Sequence, residues 1–396
     1  MLSPKVTLGA AALATSVVGG LSALPDAARA EAPQWCQDIA GGIFCAAPEE
    51  KVPGFCGTKE ITLAWADGFA ANPWRQLSAA TAIHEASRCP NVTGWEHTDG
   101  QGSTQKAIAD LEGLVAKGTD AIVVFADAGP SLLPAIRNAF QQGATVVPFR
   151  VDVGGEEGVD YSAYVAADMH NDGLTWGHWI AKAMGGKGKI AYLSGSPGNS
   201  QGTQRAEGIA EALAQYPEIE WVGQQPFEVT NWDNALSVQV LTALTAKYPD
   251  LGGIIADMSF PIVSSGVFER AGLPLPIVAG EDYNALGCAY GKFAATGEQP
   301  GFVIGTTSSQ NWGIRLAVRH AVAIAAGGTV DEALQVAGPD GQMHTVSEPG
   351  EKVFRNFVVT DTTAGLVSCD TALPDTSPGG TSLTTEQSLE ALKGGL

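Results

Sequence analysis

The chain has 396 residues, with 42 Asp or Glu against 22 Lys or Arg, a formal net charge of −20. That balance argues against nucleic acid or an anionic membrane surface as a partner, since phosphates would be repelled. Six Cys without a C-x-x-C spacing exclude a dithiol redox motif and a zinc ribbon, and point to structural disulfides.

In chain order, Lys5 is the only charged residue before Asp26. Val6 to Leu24 between them is small and apolar, and Ala28-Arg29-Ala30 supplies a small-x-small site. Residues 1–30 therefore read as a secretory signal peptide, which makes the protein periplasmic or secreted. The first Cys, Cys36, lies too far on to be a lipid-accepting residue. The 366 residues that remain suit two domains. No later stretch is apolar for long enough to insert stably in a membrane. Residues 31–59, with three Cys and three Pro, read as an irregular extension stapled to the body.

Regular alternation begins at Glu60. Strands are expected at Ile61–Ala66, Val92–His97, Ala121–Phe125, Thr145–Phe149, Tyr164–Ala167, Lys189–Leu193, Ile219–Phe227, Gly253–Ala256, Pro276–Ala279 and Phe302–Thr306. Several are unbroken apolar runs, the pattern of strands buried on both faces of a parallel sheet. Helices are expected at Pro73–Ser87, around Ala107–Val115, and at Ser131–Gln141, Asn171–Met184, Ser200–Gln215, Asp233–Lys247, Ser259–Arg270 and Asn311–Ala326. This alternation implies an α/β protein of right-handed βαβ units, and ten strands divide more naturally into two doubly wound parallel sheets than one. The stretch 374–396, rich in Ser, Thr and Gly, is expected to be a flexible tail.

Ligands of doubly wound folds bind at the carboxyl ends of the strands. The residues found there are Asp67, Trp74, Asp127, Arg150, Asp152, Arg205, Trp232, Asp233, Asp257, Glu281, Asp282 and Tyr283. Indole faces pack on the C–H faces of sugar rings, while carboxylates and Arg exchange charge-assisted hydrogen bonds with hydroxyls. Trp176, Trp179 and Trp221 read as core, and Asp233 as a helix cap. The loop Ser194–Ser200 holds Gly195 and Gly198, which fit an anion cradle no better than an ordinary βα turn. There is no G-x-S-x-G, H-E-x-x-H or P-loop, and the six His show no metal spacing, so neither catalysis nor a metal or other cofactor is expected.

Five signatures in fixed order carry a family resemblance: Asn72-Pro73-Trp74, Lys117-Gly118-Thr119-Asp120-Ala121-Ile122, Val165-Ala166-Ala167-Asp168, Arg205-Ala206-Glu207-Gly208 and Val278-Ala279-Gly280-Glu281-Asp282. With them the chain resembles the periplasmic substrate-binding proteins of sugar ABC transporters, of the ribose-binding type, over roughly residues 60–327. The resemblance implies two lobes joined by a three-crossover hinge, with a ligand cleft between them. Lobe 1 would hold 60–167 and about 308–340, and lobe 2 would hold 168–307 and about 341–373. It also implies that Trp74 and Trp232 face the ligand from opposite lobes and that Arg150, Arg205 and Asp282 bond its hydroxyls; Asp127 and Asp257 complete the expected set. Phe149-Arg150-Val151-Asp152 and Asp257-Met258-Ser259 depart from the family's usual Asp-Arg and Asn-Asp, which puts the familiar pentoses in doubt, and two Arg leave room for an anionic sugar. A monomer that delivers a sugar or polyol to permease subunits is the implied role. The rivals are an exported sugar hydrolase, with Asp257 and Asp282 as its carboxylate pair, and a sensor module for a membrane receptor.

Cys56 precedes the first strand and Cys89 ends the helix after it, and a βα unit returns those two points to one edge of the sheet. Cys56–Cys89 is therefore expected, with Cys36–Cys45 closing a short loop and Cys288–Cys369 tying the C-terminal segment to lobe 2.

Overall fold

The computed structural model describes residues 32–396; the expected signal peptide lies outside them. After a short helix α1 (Gln34–Asp38), lobe 1 runs β1 (Ile61–Asp67), α2 (Pro73–Ser87), β2 (Val92–Asp99), α3 (Thr104–Ala116), β3 (Ala121–Phe125), α4 (Leu133–Gln141), β4 (Thr145–Arg150) and β5 (Val165–Ala167). Lobe 2 runs α5 (Met169–Ala183), β6 (Lys187–Ser194), α6 (Ser200–Leu213), β7 (Glu218–Trp221), β8 (Glu228–Val229), α7 (Asn234–Lys247), β9 (Leu251–Ala256), α8 (Pro261–Ser264), α9 (Val267–Ala271), β10 (Ile277–Glu281), α10 (Asn284–Thr296) and β11 (Ile304–Thr307). The chain then returns through α11 (Ile314–Ala326), the hairpin β12 (Leu334–Ala337) and β13 (Met343–Ser347), β14 (Val353–Phe354), β15 (Val358–Asp361) and α12 (Thr385–Ala391).

Two doubly wound sheets result. The first has the order β14-β5-β4-β3-β1-β2 and is parallel throughout. The second has the order β15-β11-β10-β9-β6-β7, with β8 also on β6; only β15 is antiparallel. Each sheet is buried on both faces, which is why β3 could be read from an unbroken Ala-Ile-Val-Val-Phe. The lobes are joined at Asp168, at Ser308–Gln310 and between Phe354 and Val358. These crossings hold one another: the Ser308 amide donates to the Phe357 carbonyl at 3.0 Å, and Asn356 Nδ2 donates to Thr307 Oγ1 at 3.0 Å.

The last crossing falls later than the resemblance implies. The hairpin β12–β13 and β14 belong to lobe 1, because Leu334, Val336, Val346 and Phe354 are buried in its core and Phe354 packs between Phe149 and Trp312. Three local readings also change. The expected strand Ile219–Phe227 ends early, at Trp221, where Gly223 turns at a φ of 92° and Pro226 has no amide to give a ladder; pairing resumes only at Glu228. The expected helix Ser259–Arg270 is split by Gly266 in the left-handed region. Helix α10 was not expected, since Gly287 and Gly291 dilute its helical signal; Gly287 is there because the Ser368 carbonyl passes where a Cβ would sit.

The segment 374–396, expected to be a flexible tail, is packed. Leu383 and Ala391 are buried with Cys36, Phe44, Leu77 and Ile83, and a capping box at Thr384 and Gln387 starts α12. Its apolar residues are sparse, but Leu383, Ala391, Leu392 and Leu396 meet one surface, where α2 and the N-terminal extension leave an apolar face. The three disulfides are Cys36–Cys45, Cys56–Cys89 and Cys288–Cys369.

Helices α5 and α6 cross at glycines. A Cβ on Gly208 would overlap the His170 carbonyl oxygen, and one on Gly173 would overlap that of Arg205. Gly208→Ala gains helix propensity of about 1 kcal/mol but forces the helices apart, an overpacking cost of about 1–3 kcal/mol. Urea unfolding is expected to show a lower midpoint for Gly208→Ala; a higher midpoint would mean that the crossing relaxes freely.

Candidate functional site

The carboxyl ends of the two sheets face each other across a cleft. On the lobe 1 side, Asn72 caps α2 by accepting from the Arg75 amide at 2.9 Å, and Pro73 occupies the first helical turn. This start aims Trp74 into the cleft, edge-on to Phe125, with its Nε1 donating to the Ser309 carbonyl at 2.7 Å. Arg75 donates to Asp67 Oδ1 and Asp127 Oδ1, each at 2.7 Å, and lies 3.4 Å above the Phe125 ring. Arg150 ends β4 with a φ of 65°, a left-handed conformation that costs a non-glycine residue free energy and turns its guanidinium toward lobe 2.

On the lobe 2 side, Arg205 projects from α6 over the Trp176 ring, 4.6 Å from its centre. Its guanidinium is 2.6 Å from Glu281 Oε1, 3.1 Å from Asp172 and 3.2 Å from Asp257. Burial alone would lower its pKa, but the attraction of Asp257, Glu281 and Asp172 wins and holds it well above the ordinary value. Trp232 follows β8 with a φ of 52° and lies flat against Gly195, where a Cβ would strike the indole. The Ser194–Ser200 loop thus needs Gly195 to make room for Trp232.

Glu281 connects the two sides. Its Oε1 accepts Arg150 Nη2 at 2.7 Å and Arg205 Nη2 at 2.6 Å. Arg150 also reaches Gln201 on α6 and Gln310 in the hinge, so a lobe 1 side chain is bound to lobe 2 and to a crossover together. Burial draws the Arg150 guanidinium down to about 10 against the pull of Glu281, and burial also raises the Glu281 carboxyl against the pull of Arg205 and Arg150. Removing one partner of such a buried pair typically costs about 3–5 kcal/mol, because the other charge is left without compensation.

These residues line a partly open pocket together with Asn72, Phe125, Phe260 and Tyr283; Trp74, Arg75, Arg150, Arg205, Trp232 and Glu281 all face it. Of the seven residues expected from the sequence, Trp74, Arg150, Arg205 and Trp232 line it. Asp127 instead braces Arg75, where burial and the like charge of Asp67 push its carboxyl up to about 6 against Arg75. Asp257 lies beneath Arg205, accepting from the Tyr192 and Ser194 hydroxyls. Asp282 faces Thr306 and Gly379 on the far side of the sheet.

Glu281 takes the place expected of Asp282, for a reason of strand parity. In β10, Val278 joins the core on one face, while Ala279 packs with Trp176, Ala206 and Ile209 on the face covered by α5 and α6. Side chains alternate, so Glu281 shares the face of Ala279 and meets Arg205, whereas Asp282 points away. The alternation was available in the sequence; the helix covering each face was not. The two Arg expected to leave room for an anion are already matched. Arg150 and Arg205 face Glu281, Asp172 and Asp257, which gives two cations against three carboxylates.

A family model described as a periplasmic binding protein domain matches residues 68–328, and the chain belongs to that family. Its similarity to curated proteins includes a xylitol-binding protein of Mycolicibacterium smegmatis, 27% identical over 214 residues covering 53% of this chain and 59% of the relative. A ribose import binding protein of Salmonella typhimurium is 26% identical over 160 residues, 40% of this chain and 51% of the relative. The chain thus matches little more than half the length of these relatives. Among solved structures, the myo-inositol binding protein of Caulobacter superposes with a TM-score of 0.61 at 18% identity, covering 77% of this chain and 95% of that one. A solute-binding protein from Actinobacillus succinogenes with bound D-allose gives 0.60 at 21% identity, covering 77% and 99%. At these identities the likeness shows the fold: two α/β lobes of the periplasmic binding type.

Asp282 yields a pH test. One carboxylate oxygen accepts from Thr306, and the other is buried against Gly379 without a partner. Burial pushes this carboxyl from its ordinary 3.8 up to about 7, with the Thr306 and Thr360 hydroxyls opposing. An acid that binds its proton more tightly when folded contributes stability that is complete below the unfolded pKa and lost as pH rises through the folded one, here between about pH 4 and about pH 7. Asp282→Asn is expected to flatten that part of the stability curve measured by urea unfolding. Parallel curves for variant and wild type would show that Asp282 titrates alike in both states.

Proposed function

We propose that this protein is an exported solute-binding protein that captures an uncharged sugar or polyol by closure of its lobes and delivers it to the permease of an ABC transporter. The observation that carries the reading is the cavity itself. It offers aromatic side chains from both lobes, Trp74 from one and Trp232 from the other, together with the guanidinium groups of Arg75, Arg150 and Arg205 and the carboxylate of Glu281. Rings with apolar faces and hydroxyl edges fit such a lining. The xylitol- and ribose-binding relatives support a polyhydroxylated ligand. The matched charges of Arg150 and Arg205 favour a neutral solute over a sugar acid.

A binding role without catalysis is supported by the placement of Asp257 and Asp282. The carboxylate pair that a hydrolase would need is turned away from the cavity, one under Arg205 and the other toward Gly379. The family match and the apolar N-terminal stretch support a periplasmic or secreted location. We read the protein as a monomer.

A thermal-shift screen of sugars, polyols and sugar acids tests the reading first; a ligand at a hundred times its dissociation constant adds about 2.7 kcal/mol of stability. Trp232→Ala is then the cleaner variant, because Trp74 also carries a buried hydrogen bond to the hinge. Calorimetry is expected to show binding weakened by about 1–3 kcal/mol, roughly fivefold to a hundredfold, with stability near that of wild type. Unchanged affinity in both Trp74→Ala and Trp232→Ala would place the ligand elsewhere.

A further inference from the structure

Three chain crossings make the hinge, yet a fourth segment spans the lobes behind it. It leaves lobe 2 at Cys369, which is disulfide-bonded to Cys288 of α10. Asn284, also on α10, fastens the residues after Cys369: its Oδ1 accepts the Asp370 amide at 2.8 Å, its Nδ2 donates to the Asp370 and Leu373 carbonyls at 2.9 Å, and its own amide donates to the Ser377 carbonyl at 2.9 Å. Pro378 pairs with Tyr283, and the Gly379 amide donates to the Asp282 carbonyl at 2.8 Å. The Gly379 carbonyl then accepts the amide of Ser309, in the second crossover, at 3.1 Å. Beyond it, Leu383 and α12 are buried against α2 and the disulfide-closed N-terminal extension, where Gln387 Nε2 donates to the Ile43 carbonyl at 2.9 Å.

This path touches the cavity at two points. Tyr283 lines it, and Ser309 is the residue whose carbonyl holds the Trp74 indole. The strap therefore grips the backbone behind one cavity residue and the hydrogen-bond partner of another, while its ends are anchored in different lobes. At Gly379 it passes tightly against the sheet: a Cβ there would collide with Asp282 Oδ2. Opening the cleft by rotation at the three crossings must stretch or slide this fourth connection, because neither anchor can follow both lobes.

We propose that residues 369–384 are a strap that sets the resting opening of the cleft and positions Trp74 and Tyr283 through Ser309, Asp282 and Gly379. Its consequence for ligand capture rests on the cleft being a solute site, but the strap can be tested without any ligand. The test uses the full chain with no solute added, in wild type, Gly379→Val and the double variant Cys288→Ser/Cys369→Ser. Gly379→Val lifts the strap from Asp282, and the cysteine pair releases its lobe 2 anchor. Small-angle X-ray scattering is expected to give a larger radius of gyration in both variants. Hydrogen exchange is expected to rise at least tenfold at the Ser309 amide and the Trp74 indole, while amides of Val123 and Ile254 in the sheet centres keep their wild-type rates. Should one variant fail to fold, the other carries the test. An unchanged radius together with unchanged exchange at Ser309 would overturn the proposal. So would exchange that rises equally in the sheet centres, because the strap would then serve general stability rather than cleft geometry.

Discussion

One oxygen of Glu281 accepts two guanidinium groups, one from each lobe. Everything around the cleft bears on keeping that arrangement satisfied. Three buried charges cannot be held by Coulomb attraction alone, because desolvation opposes it; the remaining donors and acceptors must also be met. Arg150 finds Gln201 and Gln310, Arg205 finds Asp172 and Asp257, and Asp257 is in turn bonded by Tyr192 and Ser194. The network runs from the end of β4 through the hinge to the ends of β6, β9 and β10, so the relative position of the lobes is written into its geometry.

The fold supplies that geometry by close approaches that only glycine permits. Gly173 and Gly208 let α5 and α6 cross tightly enough for Arg205 to lie over Trp176, and Gly195 admits Trp232 to the cavity wall. Arg150 carries strain of its own in a left-handed backbone conformation, held there by partners on both lobes and in the hinge. Strain of this kind persists only where the surroundings over-determine it, and it falls at the point where the lobes meet.

Much of this was legible in the chain. Unbroken apolar runs gave the buried strands, Asn72-Pro73 gave the start of α2 and the aim of Trp74, and the βα return placed Cys56 beside Cys89. What could not be read was tertiary. Choosing between Glu281 and Asp282 required knowing that α6 covers the face shared with Ala279, and placing Asp127 required knowing that Arg75 turns back onto it. The C-terminal segment looked loose because its composition is polar and small. Its order comes from Leu383 and Ala391 meeting an apolar surface built by residues about three hundred or more positions earlier, such as Phe44, Leu77 and Ile83, and from backbone bonds at Gly379 that composition does not record.

The central claim is that Glu281, by joining both lobes, makes the cleft a single binding site. The most direct measurement is the ligand-induced shift in unfolding temperature for wild type and Glu281→Ala against one panel of uncharged sugars and polyols. At least one member is expected to raise the unfolding temperature of wild type, with the shift abolished in Glu281→Ala while that variant still unfolds cooperatively. A ligand-induced shift of equal size in Glu281→Ala would contradict the account.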